Sequence, residues 1–154
     1  MKILAQCITP TSELRLMDKD RIFQKLKEIE ESIALIREGT PSSALAFKRL
    51  GLSKDGIYKR LEFCIQNIID IFSMIYSSLN LGVPSSLDDI FEGLRVHKVF
   101  SKEIIGLVLE MKGLRNILIH RYGKIDDSSV YVLITGGLDD LEKVACSIEK
   151  FVRK

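Results

Sequence analysis

A chain of 154 residues, 46% hydrophobic and 29% charged, is long enough to bury one core and is neither disordered nor fibrous. Its formal net charge of +2 argues against a wholesale nucleic-acid coat, so any binding of a polyanion has to be local. Cys7, Cys64 and Cys146 are odd in number and widely spaced with no CxxC pair, which argues against a zinc or disulfide framework and fits a reducing cytoplasm.

The apolar run that opens the chain is too short for a signal peptide or a membrane span, so a cytoplasmic protein with no membrane contact is expected. Residues 1–17 show no clear period and read as a loose arm on a single domain of residues 1–154. Asp18 or Asp20 then caps a helix whose apolar positions, Ile22, Leu26, Ile29, Ile33 and Ile36, recur in steps of four and three. Lys25, Lys27, Glu28, Glu30 and Glu31 read as its solvated face, and Gly39 with Pro41 ends it.

A short helical turn is expected through Ala44-Leu45-Ala46-Phe47, and a long helix from about Asp55 to Leu79. Ile57, Leu61, Cys64, Ile68, Ile71 and Ile75 form one stripe on it; Ile65, Ile69, Phe72 and Tyr76 form a second. So wide an apolar surface predicts a central helix that also faces a partner chain. Asn67 and Asp70 interrupt it and read as satisfied polar groups rather than catalytic ones. After the Asn80–Pro84 turn, Ser85 and Ser86 with Asp88 and Asp89 resemble capping boxes for a short helix to about Arg95. His97 stands alone in the connector and reads as a surface histidine.

Ser101 caps the next helix, with Glu103 in its first turn. Leu107, Met111, Leu114 and Leu118 make one stripe; Gly106, Leu109, Gly113, Asn116 and His120 make a second. Each glycine costs about 1 kcal/mol against alanine in a helix interior, a cost that close approach of another backbone would explain. From residue 112 to residue 124 the chain carries Lys112, Arg115, Arg121 and Lys124 and no acid, an excess larger than the whole protein's net charge. At about 100° per residue, Arg115 and Tyr122 share a side, whereas Arg115 and His120 stand about 140° apart. Asn116 is four residues before His120 and in position to orient the ring. Gly123 is the expected stop, which leaves His120 in the last turn, where the helix dipole favours the imidazolium.

Asp126-Asp127-Ser128-Ser129 reads as a turn or cap. Val130-Tyr131-Val132-Leu133-Ile134-Thr135 has strand propensity, but a lone strand has nothing to pair with. Gly136-Gly137 is expected to break the chain before a last amphipathic helix through Leu138, Leu141, Val144, Ile148 and Phe151. The expected fold is all-α, an antiparallel up-and-down bundle of four main helices plus short ones.

Arg115-Asn116-Ile117-Leu118-Ile119-His120-Arg121-Tyr122 has the form Arg-x4-His-x-Tyr, and it resembles the signature of HepT-like proteins, the toxin-type branch of the HEPN superfamily. Gly113-Leu114 before it and Ile125-Asp126 after it look similar as well, and the resemblance extends over roughly residues 18–152. It implies an all-helical homodimer acting as a metal-independent ribonuclease with no cofactor, paired with a minimal nucleotidyltransferase antitoxin. It also makes residues 130–135 helical and implies AMP transfer to Tyr122, giving an O-AMP-tyrosine.

The residues suit that chemistry. RNA supplies its own nucleophile, the 2′-hydroxyl beside the scissile phosphate. His120 suits proton transfer and Arg115 bidentate contact with phosphoryl oxygens, with Asn116 and Tyr122 supporting and Lys112, Arg121 and Lys124 contacting further phosphates. One chain offers one histidine where the reaction wants a proton acceptor and a donor, so a composite site in a two-fold dimer is expected. The alternatives are a non-catalytic helical subunit that binds substrate or partner for a nucleotidyltransferase, and a purely structural dimer.

Overall fold

The computed structural model describes Leu14 and residues 16–120 and 124–154. Among the described residues six helices follow one another: α1 (Leu16–Gly39), α2 (Ala44–Lys48), α3 (Leu52–Ser78), α4 (Leu87–Val96), α5 (Lys102–His120) and α6 (Asp127–Arg153). Four of them close a ring, α1 on α3, α3 on α5, α5 on α6 and α6 back on α1, each antiparallel to the next. The two short helices plug its ends. Most of the arm expected over residues 1–17 lies outside the described residues; α1 already begins at Leu16, and buried Leu14 precedes it.

Local capping chemistry sets several boundaries. Ser43 accepts from the Ala46 amide at 3.1 Å, Ser86 from Asp89 at 3.2 Å and Ser101 from Ile104 at 3.2 Å, each the N-terminal cap expected of a serine. His97 is the exposed C-terminal cap of α4, its Nδ1 2.8 Å from the Gly93 carbonyl, as its lone position suggested. Asp18 lies inside α1 rather than capping it, and accepts from the Ser78 hydroxyl at 2.8 Å.

Aromatic clusters close both ends of the core. At one, Phe72 stacks on Phe100 (4.6 Å between centroids) and meets Phe91 edge-on, while Phe100 touches Phe151. At the other, Phe47 of α2 sits between Tyr58 of α3 (5.9 Å) and Tyr131 of α6 (5.5 Å). Cys64 is fully buried between them, and burial pushes its thiol up to about 11.

Three expectations are corrected by packing. Every position of both α3 stripes is buried within the one chain, so the width of that surface is used by α1, α4 and α5 and no part of it is left for a partner. Lys25 and Glu28 are not simply solvated: Lys25 Nζ donates to Asn67 at 3.1 Å and Asp70 at 3.3 Å, and Asn67 donates to Glu28 at 3.1 Å. This network satisfies Asn67, which is 3% exposed, as its structural reading required. Gly136-Gly137 does not break the chain, and α6 runs unbroken for 27 residues. The two glycines cost about 2 kcal/mol together, less than the helix gains by burying Val130, Ile134 and Leu138 on either side of them.

Candidate functional site

On α5, Ile104, Val108, Met111, Arg115 and Leu118 recur in steps of four, three, four and three, and all but Arg115 are buried apolar side chains. Arg115 thus continues the core line at the end of the bundle. It is half-buried, and its Nε is fully buried with no hydrogen-bond partner among the described residues. A buried, unpaired N–H of a permanent cation carries a desolvation penalty that nothing in the described chain offsets.

The opposite line, Leu109, Gly113, Asn116 and His120, is exposed, and a Cβ added at Gly106 or Gly113 would meet nothing within 4 Å. Asn116 and His120 share that surface, with no side-chain hydrogen bond between them. One chain therefore brings Asn116 beside His120 but sets Arg115 on the far side of the same helix. Lys112 is spoken for: its ammonium donates to Asp88 of α4 at 2.8 Å. Lys124 is exposed. Arg121, Tyr122 and the expected stop at Gly123 lie outside the described residues.

The chain returns through Asp126, which caps α6 by accepting from the Ser128 amide at 3.2 Å, and Asp127, which is clamped. Lys54 donates to one Asp127 oxygen at 2.8 Å and the Tyr58 hydroxyl to the other at 2.5 Å. Burial raises the Asp127 carboxyl, but the two donors outweigh it and hold the group below the ordinary carboxylate range. Burial, then the bond to Asp127, pushes the Tyr58 phenol well up. Sequence reading missed Lys54 and Tyr58 because nothing in α3 marks them as partners of a residue seventy positions on; only topology joins them.

An apolar cleft of about 100 Å³ opens between α3, α5 and α6, lined by Leu61, Ile65, Leu107, Leu114, Leu133 and Gly137 among others. Its surroundings keep large apolar groups in the open, Leu109 and Ile117 on α5 and Val132 and Leu133 on α6. Gly136 and Gly137 face open space too. Among the described residues no helix is long and apolar enough to cross a membrane, and no group of three His, Cys, Asp or Glu side chains converges as a metal site.

Comparison with known proteins gives this arrangement a family. The mRNA nuclease HepT of Shewanella oneidensis is 27% identical over 124 residues, which cover 80% of this chain and 92% of that protein. A solved structure of the tri-AMPylated Shewanella oneidensis HEPN toxin in complex with its MNT antitoxin superposes with a TM-score of 0.75 at 26% identity, covering 84% of this chain and 96% of that one. A toxin–antitoxin crystal structure with AMP-PNP matches with a TM-score of 0.76, also at 26% identity, covering 85% of this chain and 98% of that one. The profile of the family described as "Ribonuclease HepT-like" matches residues 29–148. That span holds all of α2 to α5 and the whole Arg-x4-His-x-Tyr segment, and the chain belongs to the family of HepT-like ribonucleases.

Proposed function

We propose that this chain is the toxin of a HEPN and minimal-nucleotidyltransferase pair, a cytoplasmic endoribonuclease that works as a homodimer without metal. The observation that carries the reading is the split on α5: a half-buried Arg115 whose Nε has no partner among the described residues, and an exposed His120 around the helix from it. In a two-fold dimer with the motif helices side by side, each chain lends its guanidinium and imidazole to one shared cleft. The open Gly106 and Gly113 positions let the two backbones approach.

The reaction balances within that cleft. His120 takes the proton of the RNA 2′-hydroxyl, the 2′-oxygen attacks the adjacent phosphorus, and the bond to the 5′-oxygen breaks. His120 of the partner subunit protonates the departing 5′-oxygen. The products are a 2′,3′-cyclic phosphate and a 5′-hydroxyl. Arg115 holds the non-bridging oxygens as charge builds on them, Asn116 beside His120 offers a further phosphate donor, and Arg121 and Lys124 hold flanking phosphates. Lys112 joins them only if it leaves Asp88.

The partner enzyme would silence the site by moving AMP from ATP to the Tyr122 oxygen with release of pyrophosphate. The phosphodiester anion then competes with RNA phosphate for Arg115. The test uses purified protein and a defined RNA: cleavage that persists in excess chelator and ends in cyclic phosphate is expected, with His120→Ala inactive. Loss of cleavage in chelator, or full activity in His120→Ala, refutes the mechanism. Mass spectrometry after co-expression with the adjacent nucleotidyltransferase should find the adduct on Tyr122.

A further inference from the structure

Cleavage concerns one phosphate, whereas affinity for an unstructured strand comes from the phosphates on either side of it. Lys112, the first cation of the motif segment, is held by Asp88, so flanking contacts have to be found elsewhere. We propose that the corner formed by α2 and the start of α3 carries the RNA strand beyond the scissile phosphate. This rests on the ribonuclease reading above and adds the path of the substrate.

Residues 44–61 hold Lys48, Arg49, Lys54, Lys59 and Arg60 against a single acid, Asp55. Lys54 is neutralised by Asp127, and Lys59 leans on Glu62 at 3.0 Å while staying 77% exposed. Arg60 lies over the Phe63 ring and has no ion-pair partner among the described residues. Lys48 and Arg49 are exposed and have no ion-pair partner among the described residues.

The corner adjoins the point where the motif segment re-enters the bundle. Phe47 packs on Tyr131 in the first turns of α6, and Lys54 reaches the Lys48 carbonyl at 3.5 Å as well as Asp127. The Ser129 hydroxyl chiefly holds Asp126 low, and Lys54 and Tyr58 hold Asp127 low against its burial; the charge of Lys48 adds a smaller push in the same direction on both. Asp126 and Asp127 follow Lys124 two and three positions on in the chain, so the corner lies beside the end of the motif segment. A polyanion leaving the cleft on this side meets Lys124, then Lys48 and Arg49.

The test compares wild type with Lys48→Gln/Arg49→Gln and with Lys102→Gln/Lys150→Gln, which makes the same charge change at the opposite end of the bundle. The probe is a labelled single-stranded oligoribonucleotide with 2′-deoxy substitution, which blocks cleavage; the cleavable RNA gives kcat and KM. Each lost contact to a single strand lowers the slope of log affinity against log salt by about 0.7, so the corner variant should lose about 1.4. KM should rise about tenfold with kcat kept, and the distant pair should behave as wild type. An unchanged slope and KM, or an equal loss from the distant pair, overturns the proposal. So does a corner variant that keeps RNA affinity but no longer binds the nucleotidyltransferase, which would assign the patch to a protein partner. If wild type neither binds nor cleaves any RNA, the ribonuclease reading itself has failed.

Discussion

Arg115 is where packing and chemistry ask for opposite things. The core line from Ile104 to Leu118 has room there for an unbranched side chain, and methionine would fill it with no orphaned N–H. Arg115→Met is therefore expected to leave the melting temperature unchanged or higher. Its kcat/KM on RNA should fall about tenfold to a hundredfold, the equivalent of one charged hydrogen-bonding contact worth roughly 1.5–3 kcal/mol. Parallel losses in melting temperature and activity would make Arg115 a structural residue and defeat the argument. The role proposed for it comes from the Arg-x4-His spacing; its burial was legible only in part. The stripe traced through Leu107 and Leu114 follows the rim of the α5–α6 cleft, and the true core line, one position over, runs through Arg115.

At the scale of elements, two contacts hold the motif end and the far end in register. Asp127 ties α6 to α3, and its sign with pH is definite. Its folded-state pKa is depressed, so its contribution is present above the ordinary carboxylate range near pH 4 and is lost as pH falls through the lower folded value. Asp127→Asn should cost about 1–3 kcal/mol at neutral pH and flatten the acid limb of the unfolding free energy below about pH 4, the ordinary carboxylate value. A variant that keeps the wild-type acid limb shows that another carboxylate governs it. At the other end, a Cβ on Gly93 would come 2.6 Å from Cε2 of Tyr76, whose ring is buried and whose hydroxyl donates to the Leu81 carbonyl at 3.1 Å. Gly93→Ala should thus destabilise by about 1–3 kcal/mol in chemical denaturation, and an unchanged midpoint would mean the ring swings aside. Most elements could be read from period and caps, because serine caps and four-three spacing act locally. Residues 127–137 could not, since β-branched residues and a glycine pair oppose a helix that contacts distant in sequence stabilise: Asp127 to Lys54 and Tyr58, Tyr131 to Phe47, and the burial of Val130, Ile134 and Leu138.

Over the whole molecule, apolar surface left in the open marks where a second copy would sit. The two apolar stripes of α3 led to the expectation that α3 would supply it, but every position of both is buried in its own chain, and α5 and α6 offer exposed apolar side chains in their place. Leu109, Ile117, Val132 and Leu133 are exposed there beside four glycines with open space over them. In an isolated chain such glycines only weaken the helices, by about 1 kcal/mol each. Gly113→Ala should accordingly raise the stability of the dilute, monomeric protein by about that amount. If Gly113 lies against the mate's backbone, the same methyl prevents close packing, and the dimer dissociation constant should rise at least about tenfold, a cost of roughly 1.4 kcal/mol. Sedimentation equilibrium across a concentration series measures the second effect and denaturant unfolding at high dilution the first. With the proposed cleft shared between two chains, RNA cleavage should then lose its activity on dilution at a higher concentration than wild type does. A variant that dimerises as tightly as wild type would move the mate off this face, and with it the shared site of Arg115 and His120.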